Sequence, residues 1–401
     1  MDLRRGKGLS GTAWARYLSA RLGGPLLGVP LLWVLLCAGC SPAARDPAAQ
    51  IDALMQPYQG TVPGAGVLVV RDGLPIFRHA YGFADLEARV AATPATNYRL
   101  ASMTKQFTSA AILLLAEQGR LSLGDPVRKW LPTLPAAAND ITIRHLLTHT
   151  SGLIDYEDVM AEGTTKQLHD VDVLHLLELE NRTYFVPGTA YRYSNSGYAL
   201  LALIVGRASG SDFATFLRDR IFQPLHMQNT VAFEAGITSV ADRAYGYSLV
   251  NGAWQRTDQS LTSAVLGDGG IYSSIDDLAK WDAALYDNRL LRPESLRLAF
   301  TPQTKTDDPA VQYGLGWRIT GESLWHSGET MGFRNVIVRF PAHRFTVLVM
   351  TNRDDPEPYF LALAIAKIYL PTADATHAAH AAAGPDSDAH PQNADRKPTT
   401  P

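Results

Sequence analysis

Ser102 and Lys105 stand three positions apart in "ASMTK", immediately before the apolar run "AAILLLAEQG". Residues i and i+3 share a helix face, so the amine reaches the hydroxyl. If the run is a core helix, its N-terminus adds free N–H groups and the positive end of a dipole, which favour an oxyanion forming beside Ser102. A lysine held out of water gives up part of its preference for charge and can then take the serine proton. No other Ser-x-x-Lys spacing occurs in the 401 residues.

Two later stretches carry compatible chemistry. In "YRYSNSGYALLALIVG", Tyr193 and Asn195 precede a helix-like run. A phenol relays protons where neighbouring cations lower its pKa, and an amide both donates to a substrate carbonyl and holds a lysine. Taken alone, a core tyrosine and a helix-capping Ser or Asn explain this segment as well. In "LWHSGETMGFRNVIVRFP", the triplet His326, Ser327, Gly328 comes just ahead of a strand-like run. A glycine on an edge strand admits close approach of a substrate backbone, and the N–H of the next residue, Glu329, then faces the same oxyanion. His149 in "LLTHTSGL" is read as a residue of a helix end, with no chemical role.

The elements that would position these residues are legible as patterns. "GVLVV" and "PIFRHAYGFA" are joined by "RDGL", and "NVIVRFP" and "RFTVLVMTN" by "AHR", so both pairs read as antiparallel hairpins. "YGLGWRI" reads as a further strand, and the closing "PYFLALAIAKIYL" as a helix covering the sheet. The fold class is therefore α+β: one antiparallel sheet made from both ends of the chain, flanked by N- and C-terminal helices, with a helical lobe inserted at about 121–300. With 46% hydrophobic and 19% charged residues the chain has ample material for such a core.

The two ends differ from the middle. Residues 1–39 carry Arg4, Arg5, Lys7, Arg16 and Arg21 against Asp2, then the apolar run "PLLGVPLLWVLLCAG". That is the order of an export leader. The only cysteines, Cys37 and Cys40, close it in "LLCAGCSPAA", which resembles the lipobox of bacterial lipoproteins and marks Cys40 as the lipidated residue; Cys37 stands where leucine is usual. A plain cleaved leader is the alternative. The expected location is the periplasm or outer membrane, with the membrane as partner through the lipid, or simple secretion. The net charge of −3 becomes more acidic once the leader is removed, which speaks against nucleic acid as a partner. The expected division is a leader over 1–39, a linker over 40–50, one domain over 51–370, and a disordered tail over 371–401 whose His377, His380 and His390 are solvated.

The three motifs in this order, with "LLTHTSGL", "FVPGTAYRYSNSGY" and "GDGGIYSSIDDLAKW", resemble the serine hydrolases related to class C β-lactamases and DD-peptidases, of the penicillin-recognising superfamily. The resemblance implies the two-lobed β-lactamase/transpeptidase-like fold. It also implies an acyl-enzyme on Ser102, with Lys105 and Tyr193 sharing base and acid duty and Asn195 orienting Lys105 and a substrate amide. The oxyanion hole would be the N–H groups of Ser102 and Glu329. No metal or cofactor is required, and "GDGGIYSS" is a tight loop rather than a phosphate cradle.

Substrate is less constrained. Dedicated β-lactamases of this class have lysine where His326 stands, whereas histidine occurs in DD-peptidases, aminopeptidases and esterases. The implied substrates are esters, D-amino-acid peptides (including peptidoglycan-derived ones) and, less favoured, β-lactams. The alternative is a lipid-anchored penicillin- or peptidoglycan-binding sensor that acylates without turnover. An unperturbed histidine loses its charge near pH 6.5, so carboxylate-bearing substrates are expected to lose more than neutral ones between about pH 6 and 8, unless Arg334 supplies the missing charge.

Overall fold

The computed structural model describes residues 46–370. The expected leader, Cys40 and the 371–401 tail lie outside them. The expected 40–50 linker is helical where it enters the described residues, because helix α1 (Pro47–Leu54) starts there. Asp46 caps it by accepting the Ala48 N–H, Pro47 supplies the fixed φ of a first helical residue, and Ile51 is buried. The other helices that matter for the site are α2 (Lys105–Glu117), α3 (Asn195–Ser209), α4 (Ile275–Ala284) and α5 (Tyr359–Tyr369).

One eight-stranded sheet joins the two ends of the chain. Its strands are β1 (Ala65–Arg71), β2 (Leu74–Tyr81), β3 (Thr304–Lys305), β4 (Gln312–Tyr313), β5 (Arg318–Thr320), β6 (Ser323–Thr330), β7 (Phe333–Phe340) and β8 (Phe345–Thr351). The order is β3-β4-β5-β6-β7-β8-β1-β2, antiparallel throughout. The first hairpin turns on Asp72 and Gly73, both at positive φ (53° and 79°), the backbone that a two-residue hairpin needs. Side chains alternate between faces with period two. Val67, Val69, Val336, Val338, Val347 and Val349 pack against Ile51 of α1 and Ala362 and Ile365 of α5. Leu68, Val70, Ile337, Leu348 and Met350 belong to the larger core shared with α2, α3 and α4. Both faces are thus covered, and the expected covering helix at the C-terminal end is α5.

Two expectations change. The run "YGLGWRI" is two short strands, β4 and β5, separated by a turn through Gly316 at φ 78°. That turn lies against α2: a Cβ on Gly316 would stand 2.8 Å from the Lys105 carbonyl oxygen. The 121–300 segment is not purely helical, since it contains the hairpin Tyr247–Val250 and Ala253–Arg256 and contributes Val231–Ala232 and Ile271–Ser273 to a small sheet with Tyr98–Arg99. Its helix α4 packs on the large sheet, where Ile275 sits against Gly66.

A buried ion pair fixes that packing. Asp282 of α4 accepts from Arg339 Nε of β7 (2.6 Å) and from the Thr346 hydroxyl of β8 (2.9 Å), with both charged side chains at most 1% exposed. The rings of Tyr286, Phe300 and Trp317 enclose the guanidinium. Removing one partner of such a pair strands the other charge in the core, so Asp282→Ala is expected to cost about 3–5 kcal/mol in denaturant unfolding. A loss below about 1 kcal/mol, the scale of an exposed pair, would show that the interaction does not hold α4 to the sheet.

Candidate active site

Ser102 is not in the α-helix itself. It lies in a 3-10 turn, Ala101–Thr104, and Lys105 opens α2. Ala101, just before it, has φ 49°, a conformation that L residues with a side chain rarely adopt, so the backbone bends sharply into the serine. β6 runs directly alongside this turn. A Cβ on Gly328 would fall 1.9 Å from the Leu100 carbonyl oxygen and 3.3 Å from the Met103 nitrogen, so only glycine lets the strand lie there. The His-Ser-Gly triplet is inside β6 rather than ahead of a strand. Its edge character holds for half the strand: pairing with β5 ends at Trp325, and His326 to Thr330 pair with β7 alone.

Every residue of α2 from Lys105 to Leu115 is buried. The Lys105 amine meets three acceptors: Asn195 Oδ1 at 2.8 Å, Ser102 Oγ at 3.0 Å and the Asp268 carbonyl at 3.1 Å. The Tyr193 ring centroid lies 4.8 Å from Nζ and that of Tyr198 5.4 Å away. Burial draws the Lys105 pKa below the ordinary lysine range, against the carboxylates of Asp268, Asp155 and Glu157, which pull it up. Ser102, Lys105, Tyr193 and Asn195, separated along the chain, are therefore one cluster.

Asn195 is the first residue of α3, and the helix is capped not by it but by Ser194, which accepts the Gly197 N–H. Its oxygen faces Lys105, while one amide N–H donates to Glu157 (3.1 Å) and its backbone N–H to Asp155 (3.3 Å). Tyr156, between those two acids, donates its hydroxyl to the Asp268 carboxylate (3.1 Å). Burial raises the Asp268 pKa, and Lys105 opposes the rise. Asp170 accepts from the Leu266 and Gly267 N–H groups and so grips the short helical turn Leu266–Gly269 that presents the Asp268 carbonyl; burial pushes its pKa up to about 6. Sequence reading missed Asp155, Tyr156, Glu157, Asp170 and Asp268. The acids of "IDYED", directly after the helix end at His149, and the Asp in "GDGG" were the available signal.

His326 does not present a charge. Its Nδ1 donates to the Ser327 carbonyl (2.6 Å), so in the neutral ring Nε2 accepts from the Tyr313 hydroxyl (3.0 Å). Burial, aided by the charges of Arg318 and Lys105, pushes its pKa well below the usual histidine range. The expected loss of charge between pH 6 and 8 belongs to an unperturbed ring, and burial shifts this one toward its neutral form. Arg334 does not replace that charge either: it pairs with Glu329 at 2.5 Å and donates to the Thr330 and Phe333 carbonyls. Tyr313, whose hydroxyl occupies His326, was not singled out by sequence. Arg318, another residue missed there, brings its guanidinium to 5.5 Å from the Tyr193 ring. His149 ends the helix Ile143–Leu147 as expected, at φ 58°.

Known proteins share this arrangement of elements. Over 312 residues the chain is 31% identical to Penicillin-binding protein 4* of Bacillus subtilis (strain 168), spanning 73% of this chain and 69% of that one. It is 29% identical over 324 residues to Protein flp of Staphylococcus aureus, spanning 77% of this chain but 64%, less than two thirds, of that protein. The octameric penicillin-binding protein homologue from Pyrococcus abyssi superposes with a TM-score of 0.73 at 27% identity, over 81% of this chain and 77% of that one. Residues 48–369 match the family model described as Beta-lactamase, and with nearly all of the described residues inside that match the chain belongs to the Beta-lactamase family.

Proposed function

We propose that this chain is an exported serine hydrolase that works through an acyl-enzyme on Ser102. The observation that carries the reading is the set of acceptors around Lys105. A neutral amine has two N–H groups and one lone pair; Asn195 Oδ1 and the Asp268 carbonyl take the two N–H groups, and the lone pair is left for the Ser102 hydroxyl. Burial favours that neutral form. Ser102 Oγ then attacks a substrate carbonyl carbon while its proton passes to Lys105. The N–H groups of Ser102 and Glu329 donate to the oxyanion. As the tetrahedral intermediate collapses, Tyr193 gives its proton to the leaving group and recovers one from Lys105. Water attacks the ester on Ser102, losing a proton to the same pair, and the acid departs with Ser102 restored.

Esters and D-amino-acid peptides, including peptidoglycan-derived ones, suit this site better than β-lactams. Neither His326, neutral, nor Arg334, paired with Glu329, offers the cation that a β-lactam carboxylate would need. The names of the relatives favour a second reading, a binding or sensing protein that acylates and does not release. Labelling with a fluorophosphonate probe separates the two: modification of Ser102 together with ester product release supports the hydrolase, acylation without release supports the sensor, and an unmodified Ser102 sinks both.

Lys105→Ala is expected to slow acylation by about 10²–10⁴, the contribution of a positioned acid or base. The wild-type kcat/KM for a neutral ester should rise with pH as Lys105 loses its proton and level off below lysine's ordinary value of about 10.4. Unchanged turnover in the alanine variant, or a limb at or above that value, would remove Lys105 from the role. For a matched pair of neutral and carboxylate-bearing esters, the profiles between about pH 6 and 8 should run parallel, because a neutral His326 does not titrate there. A selective decline of the anionic substrate over that interval would mean His326 is charged at its lower end. Lipid attachment at Cys40, proposed from "LCAGC", predicts that Cys40→Ser releases the protein from membranes or blocks its processing; a soluble mature protein with an unmodified N-terminus would refute it.

A further inference from the structure

Tyr193 must hold its hydroxyl within reach of a leaving group, yet it sits in the stretch just ahead of α3, where no helix bonds fix the chain. What fixes it comes from 44 positions earlier in sequence. The N–H of Arg192 donates to the backbone carbonyl of His149 at 3.0 Å. The N–H of Ser194 donates to Nδ1 of the same histidine, also at 3.0 Å. Ser194 is extended (φ −141°, ψ 115°), and in extended chain alternate N–H groups point to one side, so a single residue grips both neighbours of Tyr193. The imidazole then lies along the Tyr193 ring, centroids 4.3 Å apart and planes inclined by 31°. On the opposite side of the segment the Asn195 N–H is held by Asp155.

We infer that His149 is a positioning residue for the Tyr193-Ser194-Asn195 segment, holding the phenol and the lysine-orienting amide in register through its carbonyl, its Nδ1 and its ring face. The inference rests on the acyl-enzyme reading given above. It revises the sequence expectation that His149 merely ends a helix, because a helix end explains its φ of 58° but neither the Nδ1 bond nor the stack.

Histidine is the residue type that meets all three demands. Accepting at Nδ1 needs a neutral ring with its proton on Nε2, and burial, assisted by the charges of Lys105 and Arg318, keeps the ring neutral. Phenylalanine would supply the ring and no acceptor. Asparagine would supply an acceptor near the Nδ1 position and tolerates positive φ, with no ring. The ring is also enclosed by Tyr191, Tyr198 and Tyr313, and Nε2 is buried without a hydrogen-bond partner among the described residues. A histidine kept there despite that unmet N–H is kept for its other nitrogen. Tyr313 links it onward to His326, so the two histidines and the relay tyrosine share one wall of the site.

The test uses the full chain carrying His149→Phe or His149→Asn, with thermal unfolding, the rate of Ser102 labelling by a fluorophosphonate, and kcat and KM for a p-nitrophenyl ester. His149→Phe is expected to lower labelling and kcat roughly 10- to 100-fold, the loss that follows from a misplaced group, at temperatures where the variant is folded and with KM nearly unchanged. His149→Asn should recover most of that loss because it restores the acceptor to Ser194. Activity that falls only with the unfolded fraction, or an asparagine variant no better than the phenylalanine one, overturns the inference. If His149→Phe does not fold, His149→Ala takes its place: a loss of labelling and kcat at temperatures where it is folded, recovered in large part by His149→Asn, sustains the inference, and wild-type labelling and kcat in the alanine variant overturn it. Wild type left unlabelled at Ser102 overturns the acyl-enzyme reading and this inference with it, whereas labelled wild type with an equally labelled phenylalanine variant overturns the inference alone.

Discussion

An amine deprived of water needs acceptors for its N–H groups, and most of what surrounds Lys105 follows from that need. α2 is buried along the whole of its first eleven residues, so the lysine at its head has no route to solvent. Two of its acceptors come from elements far away in sequence: the head of α3 brings Asn195, and the Leu266–Gly269 turn brings the Asp268 carbonyl. Each is itself held, Asn195 by Asp155 and Glu157, the turn by Asp170. The third partner is Ser102, the one group in the set whose proton the amine can accept.

The large sheet meets a second demand, close approach. β6 must lie against the turn that carries Ser102 if backbone N–H groups from both are to face one atom, and Gly328 removes the side chain that would hold them apart. A strand so placed must not shift. β6 is bonded to β7 from Leu324 to Thr330, β7 is clamped to α4 through Arg339 and Asp282, and valines beneath pack on α1 and α5. The buried pair thus lies one strand away from the oxyanion site, which gives the sheet reason to carry a charge in its core.

Much of this was legible in the sequence, because period-two runs, the Asp72-Gly73 turn and the three-residue spacing of Ser102 and Lys105 are local features. What was not legible depends on contacts between distant segments. Whether His326 carries a charge is decided by its burial and by Tyr313, and a motif shows neither. Arg334 looked like a spare cation until its register in the hairpin placed it opposite Glu329. "YGLGWRI" has the composition of one strand, and the bend at Gly316 is imposed by the α2 backbone beneath it. His149 has the same character: its local role as a helix end is written in "HTSG", and its grip on Arg192 and Ser194 exists only once the two segments meet.

The charges near Lys105 oppose one another, and the balance bears on mechanism. Asp268, Asp155 and Glu157 stabilise an ammonium, while burial and Arg318 disfavour it, and burial is the largest of these effects. A site without the acids would hold a more readily neutral but weaker base; one without burial would hold a lysine charged at every physiological pH. The acids also do other work: Asp155 and Glu157 fix Asn195, and Asp268 takes the Tyr156 hydroxyl. The groups that orient the amine's acceptors therefore also restrain how far burial lowers its basicity, and the proton affinity of Lys105 is tied to the same bonds that fix its geometry.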